Sequence, residues 1–326
     1  MGCLWSGMTA SLNAAAPITP HAAPVEKQQA PLRGVQGLWV WRESSINTPQ
    51  ARQELLNFAR EHGFNRLLVQ IHRVRETDRM AIRLPSELSD LLARASEMGI
   101  AIEALDGAND MAFASNHERT LKQLDILLEF NRSLPEGKRF VGMHYDIEPY
   151  TSQRWKESDA SRQEVMVELL EFYQKARQKL DADGTGMLLS ADIPAWYDRG
   201  DRHIVTFNGQ TKNLHMHIQD VCDYIGIMSY RRHALGRNSV LELVKDEMDY
   251  GRSIGKTVMP ALETIELKED QQISFFGLPV EEFWKQHALV LENLKGDKAF
   301  GGVLTHSYDG LKRLIQEPAK PAQPAQ

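Results

Sequence analysis

The chain has 326 residues, of which 42% are hydrophobic and 25% charged, a composition that supports a sizeable globular core. It carries 38 Lys and Arg against 44 Asp and Glu, so a net charge of −6 gives no electrostatic reason to expect nucleic acid or an anionic membrane as partner. Two cysteines, Cys3 and Cys222, do not make a disulfide framework or a zinc site, and no apolar run is long enough for a transmembrane helix.

The two ends of the chain differ in composition from its middle. Residues 1–33 are rich in Ala and Pro and carry almost no charge before Glu26, which predicts a signal-like or disordered segment. Its first residues, Met1-Gly2-Cys3, also fit a lipidation pattern. The Pro/Ala/Gln tail 317–326 is predicted to be disordered. We therefore expect one folded domain over 34–316 and an extracytoplasmic location: secreted, periplasmic or surface-attached.

One rhythm repeats from Gly37 onward: a short, nearly continuous apolar run, a polar turn, and a longer stretch with helical spacing. Such runs are typical of parallel strands covered by helices. The predicted strands are Gly37–Arg42, Arg66–His72, Ile100–Asp106, Phe140–Glu148, Met187–Asp192, Tyr224–Tyr230, Thr257–Glu263 and Gly302–His306.

Helical spacing fills the gaps between these strands. Leu55, Leu56 and Ala59 recur at that spacing before Gly63, a residue type that commonly ends a helix. Eight strands with intervening helices predict a single (β/α)₈ (TIM) barrel of the α/β class. The alternative, an open doubly wound sheet, should carry a glycine-rich phosphate turn after its first strand, and Trp41-Arg42-Glu43-Ser44 is not one. No cofactor is predicted.

The predicted strands end in polar and aromatic residues although the runs before them are apolar. In such barrels the active site lies at the C-terminal ends of the strands, so these eight residues predict a lined pocket. They are Trp41, His72, Asp106, Glu148, Asp192, Tyr230, Glu263 and His306.

Strand four carries the sharpest pattern. Because side chains alternate along a strand, His144, Asp146 and Glu148 share one face, which we predict points into the barrel. Two stacked carboxyl groups in a partly desolvated mouth cannot ionise independently, so one pKa should rise, as a general acid near neutral pH requires. The plainer alternative is that they cap the next loop or pair with Arg154. The opposite face of the strand is apolar and suits packing against helices: Met143, Tyr145 and Ile147.

The segment 142–149, Gly-Met-His-Tyr-Asp-Ile-Glu-Pro, resembles the strand-four motif of the chitinase-like family 18 glycoside hydrolases, (β/α)₈ barrels whose motif ends in Asp-x-Asp-x-Glu. Met228-Ser229-Tyr230 is similar to that family's Met-x-Tyr. The resemblance implies that Glu148 protonates the glycosidic oxygen. It also implies that Asp146 orients the substrate's 2-acetamido group, whose carbonyl oxygen attacks the anomeric carbon, and that Tyr230 hydrogen-bonds the same group.

The sequence departs from that family at several positions. Val141 and His144 stand where the family has Asp, and Arg231 follows Tyr230 where Asp is usual. The strand-eight Trp is absent, with His306 and Tyr308 nearby. These departures leave open a carbohydrate-binding barrel without turnover.

Glu263, at the end of the seventh strand, offers another mechanism. Retaining glycosidases of the "four-seven" barrel clan place the acid/base Glu on strand four and a nucleophilic Glu on strand seven. A separation of roughly 5–5.5 Å between Glu148 and Glu263 would permit direct attack. Glu148 keeps its acid role in either scheme.

The remaining pocket candidates are predicted to bind substrate. Trp41, Trp196 and Tyr308 could stack on the apolar faces of sugar rings, although each alone is more often a packing residue. His72, Asp106, His144, Asp192 and His306 complete this predicted set.

A metal-dependent hydrolase is the third alternative, because the same histidines with Asp106, Asp192 and Glu263 could hold a metal ion. The His-x-His of amidohydrolases is missing from the first strand, Leu38-Trp39-Val40-Trp41, and no metal is predicted. The prediction is thus a glycoside hydrolase acting on a polysaccharide or an amino-sugar glycan, with a carbohydrate as its partner and an open oligomeric state.

Overall fold

The structure, a computed structural model, describes residues 32–77, 79–268 and 270–317. The predictions for the head and the tail fall mainly outside these residues and stay predictions. Eight parallel strands close into a barrel in which each strand pairs with its neighbours along the chain, so the predicted fold is confirmed. We number them β1 (Val35–Val40), β2 (Arg66–Gln70), β3 (Ala101–Asp106), β4 (Gly142–Tyr145), β5 (Leu188–Pro194), β6 (Tyr224–Met228), β7 (Thr257–Glu263) and β8 (Gly302–His306).

Helices connect the strands and cover the outside of the barrel. The helices of the described residues are α1 (Pro49–Glu61), α2 (Pro85–Glu97), α3 (Ala114–Ser133), α4 (Gln153–Glu157), α5 (Asp159–Asp183), α6 (Leu214–Val221), α7 (Val240–Leu243), α8 (Lys245–Ile254), α9 (Val280–Leu294) and α10 (Tyr308–Gln316). Within this part of the chain, no helix is long and apolar enough to cross a membrane. Two short antiparallel hairpins are inserted, one pairing Arg73–Arg75 with Met80–Ile82 and one pairing Ile204–Phe207 with Gln210–Asn213.

Local sequence explains where the first helix begins and ends. The Thr48 side chain accepts a hydrogen bond from Ala51 N, and Pro49 is the first helical residue, where a missing N–H costs nothing. The chain leaves the helix through Gly63 at φ +75°, a conformation that favours glycine. Leu55, Leu56 and Ala59 are fully buried, as the spacing predicts.

The core has two layers, set by the alternation of side chains along each strand. The outer layer lies between strands and helices and includes the predicted apolar face of β4, namely Met143, Tyr145 and Ile147. The inner layer fills the barrel. Its buried hydrophobic members are Val35, Trp39, Leu68, Leu105, Tyr224, Met259, Ala261 and Leu304.

Several strands have other bounds than predicted: β1, β2 and β6 end before Trp41, His72 and Tyr230, and β4 and β5 differ in ways that bear on the site. β4 ends at Tyr145, although Asp146 N still donates to Asp106 O at 2.9 Å, because the chain turns into a short 3₁₀ helix that begins at Pro149. Asp146 and Glu148 therefore lie on the segment that leaves the strand. β5 runs on to Pro194, which pairs with Met228 of β6, so Asp192 lies inside the strand and not at its end.

Candidate active site

Most of the predicted strand-end residues continue the alternation of their strand on the side that points into the barrel, although Trp41, His72, Glu148 and Tyr230 come after its last residue. The alternation continues from buried interior residues, so Trp41 follows Trp39 and His306 follows Leu304 on the same face. The set placed this way is Trp41, His72, Glu148, Asp192, Tyr230, Glu263 and His306.

Asp106 is the exception, and its predicted place in the pocket is corrected. Leu105 belongs to the barrel interior, so the next side chain points to the opposite face, where Asp106 pairs in register with the outward Tyr145. Its carboxylate forms an ion pair with Arg73 of the first hairpin and accepts a hydrogen bond from Gly107 N at 2.9 Å. The polar residue that ends β3 thus anchors a hairpin.

Tyr308 also lies apart from the other candidates. It is buried at the start of α10, with its ring 5.1 Å from that of Phe58 on α1 and under the Lys312 ammonium group. The aromatic residue therefore packs two outer helices together. His72 follows β2 and is half-buried. Among the described residues, no hydrogen bond joins its ring to the inward-pointing carboxyl groups of strands four, five and seven.

Glu148 is held by a residue that the sequence analysis missed. The Tyr150 hydroxyl donates a hydrogen bond to Glu148 Oε1, while Oε2 has no hydrogen bond to a described residue. The ring of Tyr150 contacts Trp196 edge to face, with centroids 5.0 Å apart, so the predicted aromatic platform lies next to the predicted acid. The sequence does contain a sign of this contact, since an aromatic residue stands two positions after Glu148, directly after Pro149.

Asp146 is the carboxyl group whose pKa the site raises. Burial, then the charges of Asp192 and Glu148, raise the pKa of Asp146 to about 8, although His306 and His144 act in the opposite direction. Its Oδ1 is buried and has no hydrogen-bond partner among the described residues. Asp146 can therefore hold a proton at neutral pH and offer it to a ligand in the barrel mouth.

Below Asp146, a second carboxylate comes from the neighbouring strand. Asp192 Oδ2 accepts a hydrogen bond from Trp39 Nε1 at 3.1 Å and lies 2.6 Å from His144 Nε2. All three side chains are almost completely buried. The predicted substrate-binding residues His144 and Asp192 therefore lie under the mouth, in contact with each other. Gly226 makes room for them, since a Cβ there would lie 2.1 Å from Asp192 Oδ1.

A second linked set lies on the opposite wall, between β7, β8 and β1. Glu263 accepts from His306 Nδ1, with Oε2 at 2.9 Å and Oε1 at 3.1 Å, and from Ile265 N at 2.7 Å. Trp41 Nε1 donates to His306 Nε2 at 2.7 Å. The ring of Tyr230 stacks on His306 with centroids 6.1 Å apart.

Tyr230 lies among the carboxyl groups of both sets. Burial, together with the charges of Glu263, Asp146, Asp192 and Glu148, raises the pKa of Tyr230 well above its ordinary value, so its phenol stays protonated. It can donate a hydrogen bond to a ligand in the mouth.

The structure bears on two alternatives from the sequence analysis, the pairing of the strand-four carboxyl groups with Arg154 and a metal site. Arg154 pairs with Glu168 at 2.6 Å and Glu164 at 3.4 Å on α5, so the carboxyl groups of the mouth are not its partners. Within residues 32–317 as far as they are described, no group of three or more His, Cys, Asp or Glu is arranged to hold a metal ion.

Known proteins resemble this chain in structure and not in sequence. No family model matches the sequence, and no curated protein matches it. A chitinase from Chromobacterium violaceum is similar with a TM-score of 0.50 and 13% identity, over 87% of this chain and 100% of that chain. A Bacteroides thetaiotaomicron chitinase gives 0.52 and 13%, over 87% and 95%. The spore cortex-lytic enzyme SleL of Bacillus cereus gives 0.50 and 12%, over 89% and 76%. At these identities the likeness shows the fold alone: the chain shares its barrel with glycoside hydrolases.

Proposed function

We propose that this protein is a glycoside hydrolase acting on a polysaccharide or an amino-sugar-containing glycan, with Glu148 as general acid and Asp146 assisting. The observation that carries the proposal is the pair itself. Asp146 is a half-buried carboxyl group with a buried Oδ1 and a pKa of about 8, and it lies beside Glu148 on the segment that leaves β4. Neighbouring carboxyl groups in different environments are the basis of acid–base division of labour in glycosidases.

The surrounding side chains fit a sugar in the mouth. A protonated Asp146 and the phenol of Tyr230 are both donors, and the hydroxyl and carbonyl oxygens of a sugar can accept from them. Trp41 and Trp196 are half-buried and offer ring surface on two sides of the carboxyl groups. The three similar structures are a fold-level precedent, since their names describe two chitinases and a cortex-lytic enzyme.

The test begins with turnover by the wild-type protein on a panel of N-acetylated, mannose-based and glucose-based oligosaccharides. Glu148→Gln keeps the shape of the side chain but cannot give up a proton, so it should lower kcat by roughly 10²- to 10⁴-fold. An unchanged melting temperature would show that the loss is chemical. Absence of wild-type turnover on the whole panel, with binding detected by calorimetry, would replace the enzyme with a carbohydrate-binding barrel.

A paired substitution separates the two glycosidase mechanisms. If the substrate's acetamido group is the nucleophile, Asp146→Asn abolishes turnover and Glu263→Gln is tolerated. The reverse pattern would favour a covalent glycosyl-enzyme on Glu263. The hydrogen bonds that Glu263 accepts from His306 and Ile265 N hold its carboxylate in place and favour the acetamido mechanism.

A further inference from the structure

A chain of buried polar side chains runs down the barrel from Asp192 to the end where the strands begin. It lies in a region that such barrels usually fill with branched apolar residues. This series of contacting side chains starts at Asp192 and continues through His144. The hydroxyl groups of Ser190 and Tyr224 then connect His144 to Glu103. The series ends at Arg66, whose guanidinium forms an ion pair with Glu103 Oε1. These side chains are at most 3% exposed.

The hydroxyl groups of Ser190 and Tyr224 both act as hydrogen-bond donors to Glu103. Ser190 Oγ lies 2.9 Å and Tyr224 OH 3.0 Å from Glu103 Oε2. Each hydroxyl has one proton, and a carboxylate is the strongest acceptor within reach, so both donate to Glu103. Their oxygens then have only lone pairs left for other partners.

His144 Nδ1 contacts both of these oxygens, Ser190 Oγ at 2.8 Å and Tyr224 OH at 3.0 Å. Since the two oxygens can only accept, Nδ1 must carry a proton. The other ring nitrogen, Nε2, faces Asp192 Oδ2 at 2.6 Å, and a carboxylate is an acceptor as well. Both ring nitrogens of His144 therefore have acceptors as neighbours.

We propose that His144 is an imidazolium ion that holds Asp192 as a carboxylate beneath Asp146, so that the negative charge of Asp192 keeps the proton of the active site on Asp146. Asp192 thereby supplies from β5 a negative charge that β4 lacks, because His144 occupies the Asp position of the motif it resembles. His144 and Asp192 are positioning residues that act through Asp146. The consequence for turnover rests on the proposed function, whereas the charge state of His144 does not.

The groups that face this pair come from seven of the eight strands and the segments that follow them, and their balance supports the assignment. Burial lowers the pKa of His144, but Asp192, Glu103 and Asp146 raise it, and the net direction is upward. Glu103 lies between the guanidinium of Arg66 and the ring of His144, so positive and negative groups alternate from Arg66 to Asp192. The facing groups are Trp39 and Arg66, Glu103 and Asp146, Ser190 and Asp192, Tyr224, and His306.

The test is a ¹⁵N-histidine NMR titration of the full-length protein, with the His144 ring assigned through its contacts to the rings of Trp39 and Tyr224. We expect both ring nitrogens to be protonated at pH 7 and to stay so well above the ordinary titration range of histidine. A single protonated nitrogen at pH 7 would overturn the proposal. This measurement uses the wild-type protein, so it decides the matter even if no variant folds.

Asp192→Asn tests the link to Asp146, and Asp201→Asn, which changes an exposed Asp on the loop after β5, is its control. Removing the Asp192 charge should lower the pKa of Asp146, measured by ¹³C NMR of the carboxyl carbon, and should let His144 titrate at lower pH. An Asp146 pKa that does not move would overturn the link. On a cleavable glycan, the alkaline limb of the pH–rate profile should move to lower pH in Asp192→Asn only. Failure of turnover with the NMR result intact would count against the proposed function and not against the ion pair.

Discussion

The indole nitrogen of Trp41 donates a 2.7 Å hydrogen bond to Nε2 of His306, and this contact determines which ring nitrogen of the histidine carries its proton. Because Nε2 accepts, Nδ1 must be the protonated nitrogen, and it donates to Glu263. The ring of His306 therefore has one donor, Trp41, and one acceptor, Glu263, as neighbours, in contrast to His144, whose two ring nitrogens both face acceptors.

Replacing Trp41 by Phe should therefore change the titration of His306. Burial lowers the pKa of His306, but Glu263, Asp146 and Asp192 raise it above its ordinary value. Loss of the indole donor frees Nε2 for a second proton, and we expect the pKa of His306 to rise further. NMR titration of the ring measures this. Trp284→Phe on α9 removes an indole that packs against other rings and should leave His306 unchanged. Equal titration curves for wild type and Trp41→Phe would contradict the assigned hydrogen bond.

Tyr150→Phe removes the hydroxyl that donates to Glu148 Oε1. A hydrogen bond to a charged group is worth about 1.5–3 kcal/mol, so kcat on a cleavable glycan should fall on the order of tenfold to a hundredfold. Tyr197→Phe is the matched control, because that hydroxyl belongs to the same aromatic cluster and has no hydrogen-bond partner among the described residues. A similar loss in both variants would mean that packing, and not the hydrogen bond, is what matters.

Asp146 should make the protein less stable as the pH rises. The pKa of its carboxyl group is raised from 3.8 to about 8, so the folded protein keeps a proton that the unfolded chain releases above about pH 4. The stabilising contribution is complete below that pH and is lost progressively up to about pH 8. Asp146→Asn cannot titrate and should gain stability relative to wild type by a few kcal/mol, in order of magnitude, between about pH 5 and pH 8.5.

Urea unfolding of both proteins at the two pH values measures this difference. Asp201→Asn, at an exposed carboxylate, should follow the wild-type pH dependence. The same pH dependence in wild type and Asp146→Asn would show that this carboxyl group is not the one that titrates.

Gly226→Ala should disturb Asp192 without changing any charge. A Cβ at this position would lie 2.1 Å from Asp192 Oδ1, so the carboxylate has to move away from Trp39 and His144. Overpacking of this kind costs about 1–3 kcal/mol of unfolding free energy, and we expect the pKa of Asp146 to shift with the displaced charge. Gly296→Ala, where the added methyl group meets open space, should be close to neutral. Full stability in Gly226→Ala would contradict the close approach.

The alternation of side chains along β4 and the segment after it depends only on local geometry, so the sequence was enough to predict which residues point inward. Asp146 and Glu148 do so, whereas Met143, Tyr145 and Ile147 pack in the outer layer. The same rule, applied from Leu105, would have placed Asp106 on the outer face, but a strand end by itself does not show which face its last residue takes. The contact between His144 and Asp192 could not be read from the chain, since it depends on the register of β4 against β5. Tyr308 could not be placed because its environment is set by Phe58 of α1, which lies far earlier in the sequence.

The ion pair between His144 and Asp192 also constrains how such a barrel can diverge. Each charge is acceptable in the interior only because the other neutralises it, so a change at either position alone leaves an isolated buried ion, with a cost of about 3–5 kcal/mol. Positions 144 and 192 should consequently covary among relatives, with the two charged residues either kept together or replaced together by uncharged ones.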